Sequence, residues 1–222
     1  MPNSLQEVQL NAVQVKEMFL YVGEKVRENK PLLTKIDSAI GDGDHGIGMS
    51  VGFTKAEEGL RQKEFTTIND VFKTIGMSMI STMGGASGVI FGTFFIGGVK
   101  GLDPQEVLTL PLLAQILEGS VSSIKQRGKA ERGDKTMIDA LEPAVEGLKQ
   151  SVIGNQSLLE GLKVAESLAE KGVEQTKEYV AKFGRAKALG ERAIGHQDAG
   201  ATTVWIMFTA MREWVENAIN QE

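Results

Sequence analysis

The chain has no cysteine among its 222 residues. That absence excludes a disulfide framework, a thiolate nucleophile and any cysteine-based zinc or iron–sulfur site, and it fits a reducing compartment. The most apolar run, Gly88 to Val99, is about a dozen residues and too short to span a bilayer. The N-terminal MPNSLQEVQL has no charged stretch leading into an apolar one, so no signal peptide is expected. Basic charge is not in excess either. A net charge of −5 argues against a nucleic-acid binder, whose basic footprint should dominate. Small anionic ligands stay open, because local charge decides those. No Pro/Gly/Ser-rich linker exceeds a few residues, so residues 1–222 read as one domain, and 41% apolar residues suffice for a substantial core. These absences lead us to expect a soluble cytoplasmic protein with neither membrane nor nucleic acid as a partner.

Strand-like alternation and clusters of β-branched or aromatic residues are scarce too, whereas helical spacing recurs almost everywhere. Ala12, Val15, Phe19, Val22 and Val26 fall at steps of three and four. So do Met49, Phe53, Ala56 and Leu60, and then Ile68, Phe72, Ile75 and Met79. Further stripes run through Leu113–Ile124, Met137–Leu148, Val173–Phe183 and Val204–Val215. Ser4-Leu-Gln-Glu7 and Ser157-Leu-Leu-Glu160 have the capping-box pattern, and Asp103-Pro104-Gln-Glu106 offers an N-cap, a proline at N1 and an acid at N3. Residues 86–100, ASGVIFGTFFIGGVK, are apolar nearly all round and predict a helix buried on all sides. Gly88, Gly92 and Gly97 within it point to close helix contacts or a ligand. The fold class is all-α, with about eight helices.

Glycines concentrate at four joints: IDSAIGDGDHGIG (36–48), MGGASG (83–88), RGKAERGDKTM (127–137) and GERAIGHQDAG (190–200). Each leads into a predicted helix. The first N–H groups of a helix lack internal partners and the macrodipole is positive there, so a glycine-rich approach admits an anion. Several such joints at one end of a bundle would form a polyphosphate site; singly, each reads equally well as a plain connector. Both histidines, His45 and His196, lie in these joints beside Asp44 and Asp198.

Asp37, Asp42 and Asp44 crowd into one bend. Clustered carboxylates cost electrostatic energy unless a cation or a proton offsets it. Mg²⁺ suits them, since it takes oxygen ligands and is held together with substrate phosphates. An EF-hand does not fit, because the spacing is wrong and no closing glutamate follows. In the alternative reading, Asp42 and Asp44 are solvated caps of the next helix. Gly128–Thr136 nearly matches a P-loop, but Asp134 interrupts the Gly-Lys-Ser/Thr ending and no strand precedes it. Asp134 could instead cap a helix starting near Lys135. Arg127, Lys129, Lys135, Arg185, Lys187 and Arg192 are phosphate candidates that, taken singly, read as solvated surface charges. A phosphohistidine carrier using His45 or His196 stays open.

Four motifs now coincide: D-x4-D-x-D-H-G at 37–46, GGASG with FGTFF at 84–95, RGKAERGDKTM at 127–137 and GERAIGHQDAGAT at 190–202. In combination they resemble the nucleotide-binding L subunit of bacterial dihydroxyacetone kinases (DhaL), over most of the chain from about Asp37 to Trp205. The resemblance implies an eight-helix antiparallel barrel with ADP or ATP at one end, held through two Mg²⁺ ions by Asp37, Asp42 and Asp44. It implies phosphate contacts from His45, Gly46, Ile47 and Gly48 and from the tight turn at Ala86 and Ser87. It further implies nucleotide contacts at Gly128, Met137 and Arg185, and a closing segment at Asp198, Ala199 and Gly200. That segment is usually Asp-Pro-Gly; alanine replaces proline here and removes no side-chain ligand.

The resemblance also implies that this chain is half of an active site. A partner K subunit would hold dihydroxyacetone covalently through a histidine and deprotonate it. Bound ADP would be recharged by a phosphohistidine-carrying phosphotransferase-system subunit, the mode favoured for a free-standing subunit, whereas other relatives exchange ATP or use another short ketose. Relatives of this kind also bind transcription regulators.

Overall fold

A computed structural model describes residues 9–220. The chain opens with a two-residue strand, β1 (Leu10–Asn11), then α1 (Ala12–Glu28), α2 (Lys30–Ile40), α3 (His45–Arg61), α4 (Ile68–Thr82) and α5 (Gly85–Gly98). There follow β2 (Val107–Leu108), α6 (Leu110–Gly128), α7 (Ile138–Ile153), α8 (Leu158–Gln175) and α9 (Ala199–Ile219). Two 3₁₀ segments, Thr176–Glu178 and Arg185–Ala193, lie between α8 and α9. β1 and β2 form a single antiparallel clasp.

Neighbour packing closes a ring: α1 against α3, then α4, α5, α6, α7, α8 and α9, which returns to α1. Among the described residues, eight α-helices make this barrel, and the ninth, α2, packs outside the ring on α3 and α9. The all-α expectation therefore holds, and the additional helix arises where Asn29 interrupts the first one. Lys30-Pro31 restarts the chain there, with proline in the first turn, where its missing N–H costs nothing. No described helix is long and apolar enough to cross a membrane.

The core is aromatic on one side. Phe95 of α5 meets Phe94, Phe19, Phe72 and Phe53 at centroid distances of 4.8, 5.7, 5.9 and 6.5 Å, joining α1, α3, α4 and α5. Such pairs add roughly 0.5–1.5 kcal/mol each beyond area burial. The expectation that α5 is buried all round is corrected: Ala86 is exposed and Val89, Ile90, Thr93 and Ile96 are half-buried, because α5 is one stave of the ring and not its axis. Close helix approach accounts for its central glycine. A Cβ on Gly92 would lie 3.0 Å from the Gly76 carbonyl, and one on Gly76 would lie 2.9 Å from that of Gly92.

Caps set several boundaries. Ser157 and Glu160 make the expected capping box of α8. The Ser4 box lies outside the described residues, and α1 is started by a box of Asn11 and Gln14. Asp103-Pro104 does not begin a helix. That stretch leads into β2, the Gln105 N–H donates to Asn69 Oδ1, and Thr109 caps α6. The Val173–Phe183 stripe is helical only to Gln175, after which one 3₁₀ turn gives way to extended chain.

One seam bears on the site. Pro143 inside α7 lacks the N–H that would bond the Asp139 carbonyl. α8 presses Gly172 onto this carbonyl, where an added Cβ would come 2.1 Å from the oxygen and 2.8 Å from Ala140 Cα. Both neighbours are backbone, so neither can rotate away. Gly172→Ala should cost about 1–3 kcal/mol through overpacking, more than the helix-propensity gain of about 1 kcal/mol. Thermal denaturation should show Tm lowered by several degrees, at roughly 2–4 °C per kcal/mol; an unchanged or raised Tm would contradict this packing.

Candidate functional site

The three aspartates converge because two helices meet at a sharp bend. Asp37 stands in the last turn of α2, Gly41 ends that helix, and Gly43 takes φ 77° so that α3 can start at His45. Asp42 and Asp44 flank this glycine. One carboxylate oxygen from each of Asp37, Asp42 and Asp44 falls in a group whose members all lie within 4.8 Å of one another. Their role as mere helix caps is not borne out: Asp44 occupies the N-cap position of α3 but makes no side-chain cap bond, and the His45 N–H donates to Asp37 Oδ2 at 3.2 Å.

Like charge dominates this corner. Burial, followed by the charges of Asp42 and Asp37, pushes the Asp44 carboxyl above its ordinary range. Arg185 Nε sits 2.8 Å from Asp42 Oδ2, but its side chain is 78% exposed, so the ion pair offsets little of the repulsion. The donor set is all hard oxygen, matching Mg²⁺ and unsuited to soft metals. On that chemistry the residues fit a magnesium ion.

Around the bend lies a cavity of about 790 Å³, a size typical of small-molecule sites. The start of α5 forms one wall, with Gly84, Gly85, Ala86 and Ser87. Gly84 supplies no side-chain cap, which leaves the first N–H groups of a 14-residue helix free for an anion. Lys135, Thr136 and Met137 form a second wall, Phe183 to Ala186 a third, and Asp198 to Gly200 at the head of α9 a fourth. Ile47, Val51, Ile90 and Phe91 give the interior an apolar lining.

Of the residues singled out from the sequence, Asp37, Asp42, Asp44, His45, Ile47, Gly48, Ala86, Ser87, Met137, Arg185, Asp198, Ala199 and Gly200 all line this one cavity. Gly46 and Gly128 do not. Gly46 is buried against α2, where a Cβ would come 2.5 Å from the Lys30 carbonyl. Gly128 ends α6, where its absent Cβ would face Ile90 at 3.2 Å. Arg127, Lys129, Lys187 and Arg192 are exposed and outside the lining, whereas Lys135 is buried within it and is not a surface charge. Asp134 caps no helix: it pairs with Lys182 at 2.6 Å and accepts the Glu131 N–H, while α7 starts at Ile138.

The two histidines differ sharply. His45 is buried, its Nε2 lies 2.8 Å from Thr203 Oγ1, and its ring packs 5.9 Å from Phe91. Burial lowers its pKa to about 4, so it is neutral at physiological pH and already hydrogen-bonded. His196 is exposed and outside the lining. Sequence reasoning did not single out Thr136, Phe183, Ile90 or Phe91 as site residues; Phe91 and Thr136 carried a signal, as members of the FGTFF and RGKAERGDKTM stretches.

Asp198 caps α9 by accepting the Ala201 N–H at 2.7 Å, yet burial, with Asp139 and Asp37 nearby, pushes its pKa up to about 7. Between about pH 4 and 7 the folded protein holds a proton that the unfolded chain releases, so stability falls as pH rises through this window. Free of divalent cation and nucleotide, Asp198→Asn keeps the cap and removes the charge. Denaturant unfolding should find it more stable than the wild type at pH 7.5, with the gap narrowing toward pH 5. A gap that is constant or widens at pH 5 would contradict the assignment.

A family model described as DAK2 domain matches residues 39–213. The PEP-dependent dihydroxyacetone kinase 1, ADP-binding subunit DhaL, of Listeria innocua is 42% identical over 189 residues, covering 85% of this chain and 89% of that protein. The corresponding ADP-binding subunit of Escherichia coli K12 is 41% identical over 198 residues, 89% and 94% of the two chains. The crystal structure of the dihydroxyacetone kinase of C. freundii in its native form superposes with a TM-score of 0.72 at 26% identity, covering 92% of this chain but only 34% of the longer enzyme. The same enzyme in complex with AMP-PNP and Mg²⁺ gives a TM-score of 0.71 at 24% identity, a likeness of fold.

Proposed function

The chain belongs to the DAK2-domain family, and on that premise we propose that it is the nucleotide-binding phosphotransfer subunit of a dihydroxyacetone kinase, active only with a partner subunit. The observation that carries this reading is the meeting of a three-carboxylate bend and an uncapped helix N-terminus across one cavity, in a chain over 40% identical to ADP-binding subunits.

Asp37, Asp42 and Asp44 hold Mg²⁺, two ions in our reading, and bound magnesium would supply the positive charge that neutralises phosphate oxygens. Opposite them, the free amides at Gly85 to Ser87 bind phosphate through the positive end of α5. His45 to Gly48 open α3 at the same level, with Gly46 acting through packing. Ile90, Phe91 and Met137 offer an apolar surface for the base, and Arg185 with Asp198 to Gly200 closes the mouth. Phosphoryl transfer asks mainly for positioning and positive charge, with little covalent work by protein side chains. The aspartates are therefore metal ligands and not general bases; accepting the substrate proton falls to the partner subunit.

The names of the relatives support the rest. Both are PEP-dependent ADP-binding subunits, so ADP is retained as a cofactor and recharged by a phosphohistidine carrier of the phosphotransferase system. The K subunit supplies dihydroxyacetone, and the assembly works in the cytoplasm. Burial and hydrogen bonding of His45 speak against its being phosphorylated directly.

Purified protein should carry ADP through gel filtration in Mg²⁺ and lose it in chelator. Asp37→Ala, Asp42→Ala and Asp44→Ala should each weaken Mg-dependent ADP binding by at least the roughly 10–100-fold seen when groups behind a metal ligand are lost, with unchanged circular dichroism. Nucleotide affinity equal to wild type in all three variants would refute the metal assignment. Label transferred from phosphoenolpyruvate through the carrier should appear on ADP; label on His196 of nucleotide-free protein would favour a direct phosphocarrier instead.

A further inference from the structure

Lys135 has no place in the function so far, although it stands one residue beyond the position of a P-loop lysine. It is the one buried lysine or arginine among the described residues, 2% exposed, and its backbone takes a left-handed φ of 62°. A side chain rarely adopts that conformation without surrounding structure to impose it. Asp139 imposes it here by accepting the Thr136 N–H at 2.7 Å together with the Gly133 N–H. The ammonium does not reach for a phosphate. It donates to two backbone carbonyls, those of Thr176 and His196, 41 and 61 residues further along the chain.

Those two carbonyls belong to the segments that hang the cavity's fourth wall. The Thr176 hydroxyl accepts the Asp198 N–H at 2.9 Å and donates to the Val173 carbonyl at 2.6 Å. Asp198 in turn accepts the Ala201 N–H, and its carbonyl accepts the Thr202 N–H at 3.0 Å. Lys135 therefore sits at the root of a chain of bonds that ends at the head of α9. A buried ammonium is tolerated only when its donors are hydrogen-bonded, and the two carbonyls supply those bonds, with Asp139 and Asp198 beside it.

We propose that Lys135 is the positioning residue of the nucleotide site: its buried ammonium clamps the Thr176 and His196 carbonyls and so fixes the Asp198–Gly200 edge that closes on the nucleotide. The use of that edge rests on the functional reading above; the clamp itself does not. Lys135 touches neither metal nor phosphate in this account and acts only through the segments it joins.

Lys135→Met removes the charge and donors while keeping the stem, and Thr176→Val breaks the next link should the first variant fold poorly. Amide hydrogen exchange on nucleotide-free protein should show at least tenfold faster exchange at Asp198, Ala201 and Thr202 in either variant, with α4 and α5 unchanged. The ADP off-rate in Mg²⁺ should rise at least tenfold in each, and the double variant should add little, because both substitutions cut one chain of bonds. A merely structural lysine would instead accelerate exchange throughout and leave the off-rate of folded protein unaltered. Unchanged exchange at those three amides in Thr176→Val would overturn the clamp. A wild type that holds no ADP would refute the functional reading while the exchange result still judged the clamp.

Discussion

Mutual repulsion among Asp37, Asp42 and Asp44 is the constraint around which the cavity end of this molecule is organised. Three carboxylates drawn within 4.8 Å raise the energy of the folded state. What holds them there is covalent and local: α2 must stop at Ile40, and α3 must restart five residues later at His45. The remainder of the barrel stabilises this arrangement from a distance. The aromatic cluster around Phe95 ties α3 to α1, α4 and α5, so the bend cannot relax without disturbing the core. In the proposed function this tension keeps the bend ready for a cation.

Positive field is supplied from the opposite side. α5 begins with glycines that leave its amides bare, and α9 begins with Asp198, which covers one amide and carries a proton up to about pH 7. A nucleotide between them would meet helix dipoles from one side and metal-loaded carboxylates from the other. Basic side chains contribute little: Arg185 is the one exposed arginine or lysine of the lining, and it is committed to Asp42. In the proposed function the chemistry is thus set by backbone and metal more than by side-chain cations.

Much of this was legible in sequence. The helical stripes announced an all-α fold, and the aspartate cluster stood out because its electrostatic cost has no structural rationale; the fold does bring one oxygen of each aspartate within 4.8 Å of the others. The glycine joints marked where helices turn toward one end. Other features escaped because they depend on partners distant in sequence. Lys135 read as a surface charge, since nothing nearby reveals that carbonyls 41 and 61 residues away would enclose it. Gly46 and Gly128 read as ligand contacts, and packing adds what the sequence could not show: Gly46 lies against α2, and Gly128 ends α6 facing Ile90. Asp103-Pro104 carried a sound cap signal, but Thr109 and the β1–β2 clasp took precedence.

The central claim is that cation and nucleotide share one site. Calorimetric titration tests it most directly, with Mg²⁺ measured in the presence and absence of ADP and ADP in the presence and absence of Mg²⁺. Linkage requires that each ligand tighten the other by the same factor, and the account predicts a factor of at least about 10, or roughly 1.4 kcal/mol. ADP binding that is equally tight in chelator would contradict it.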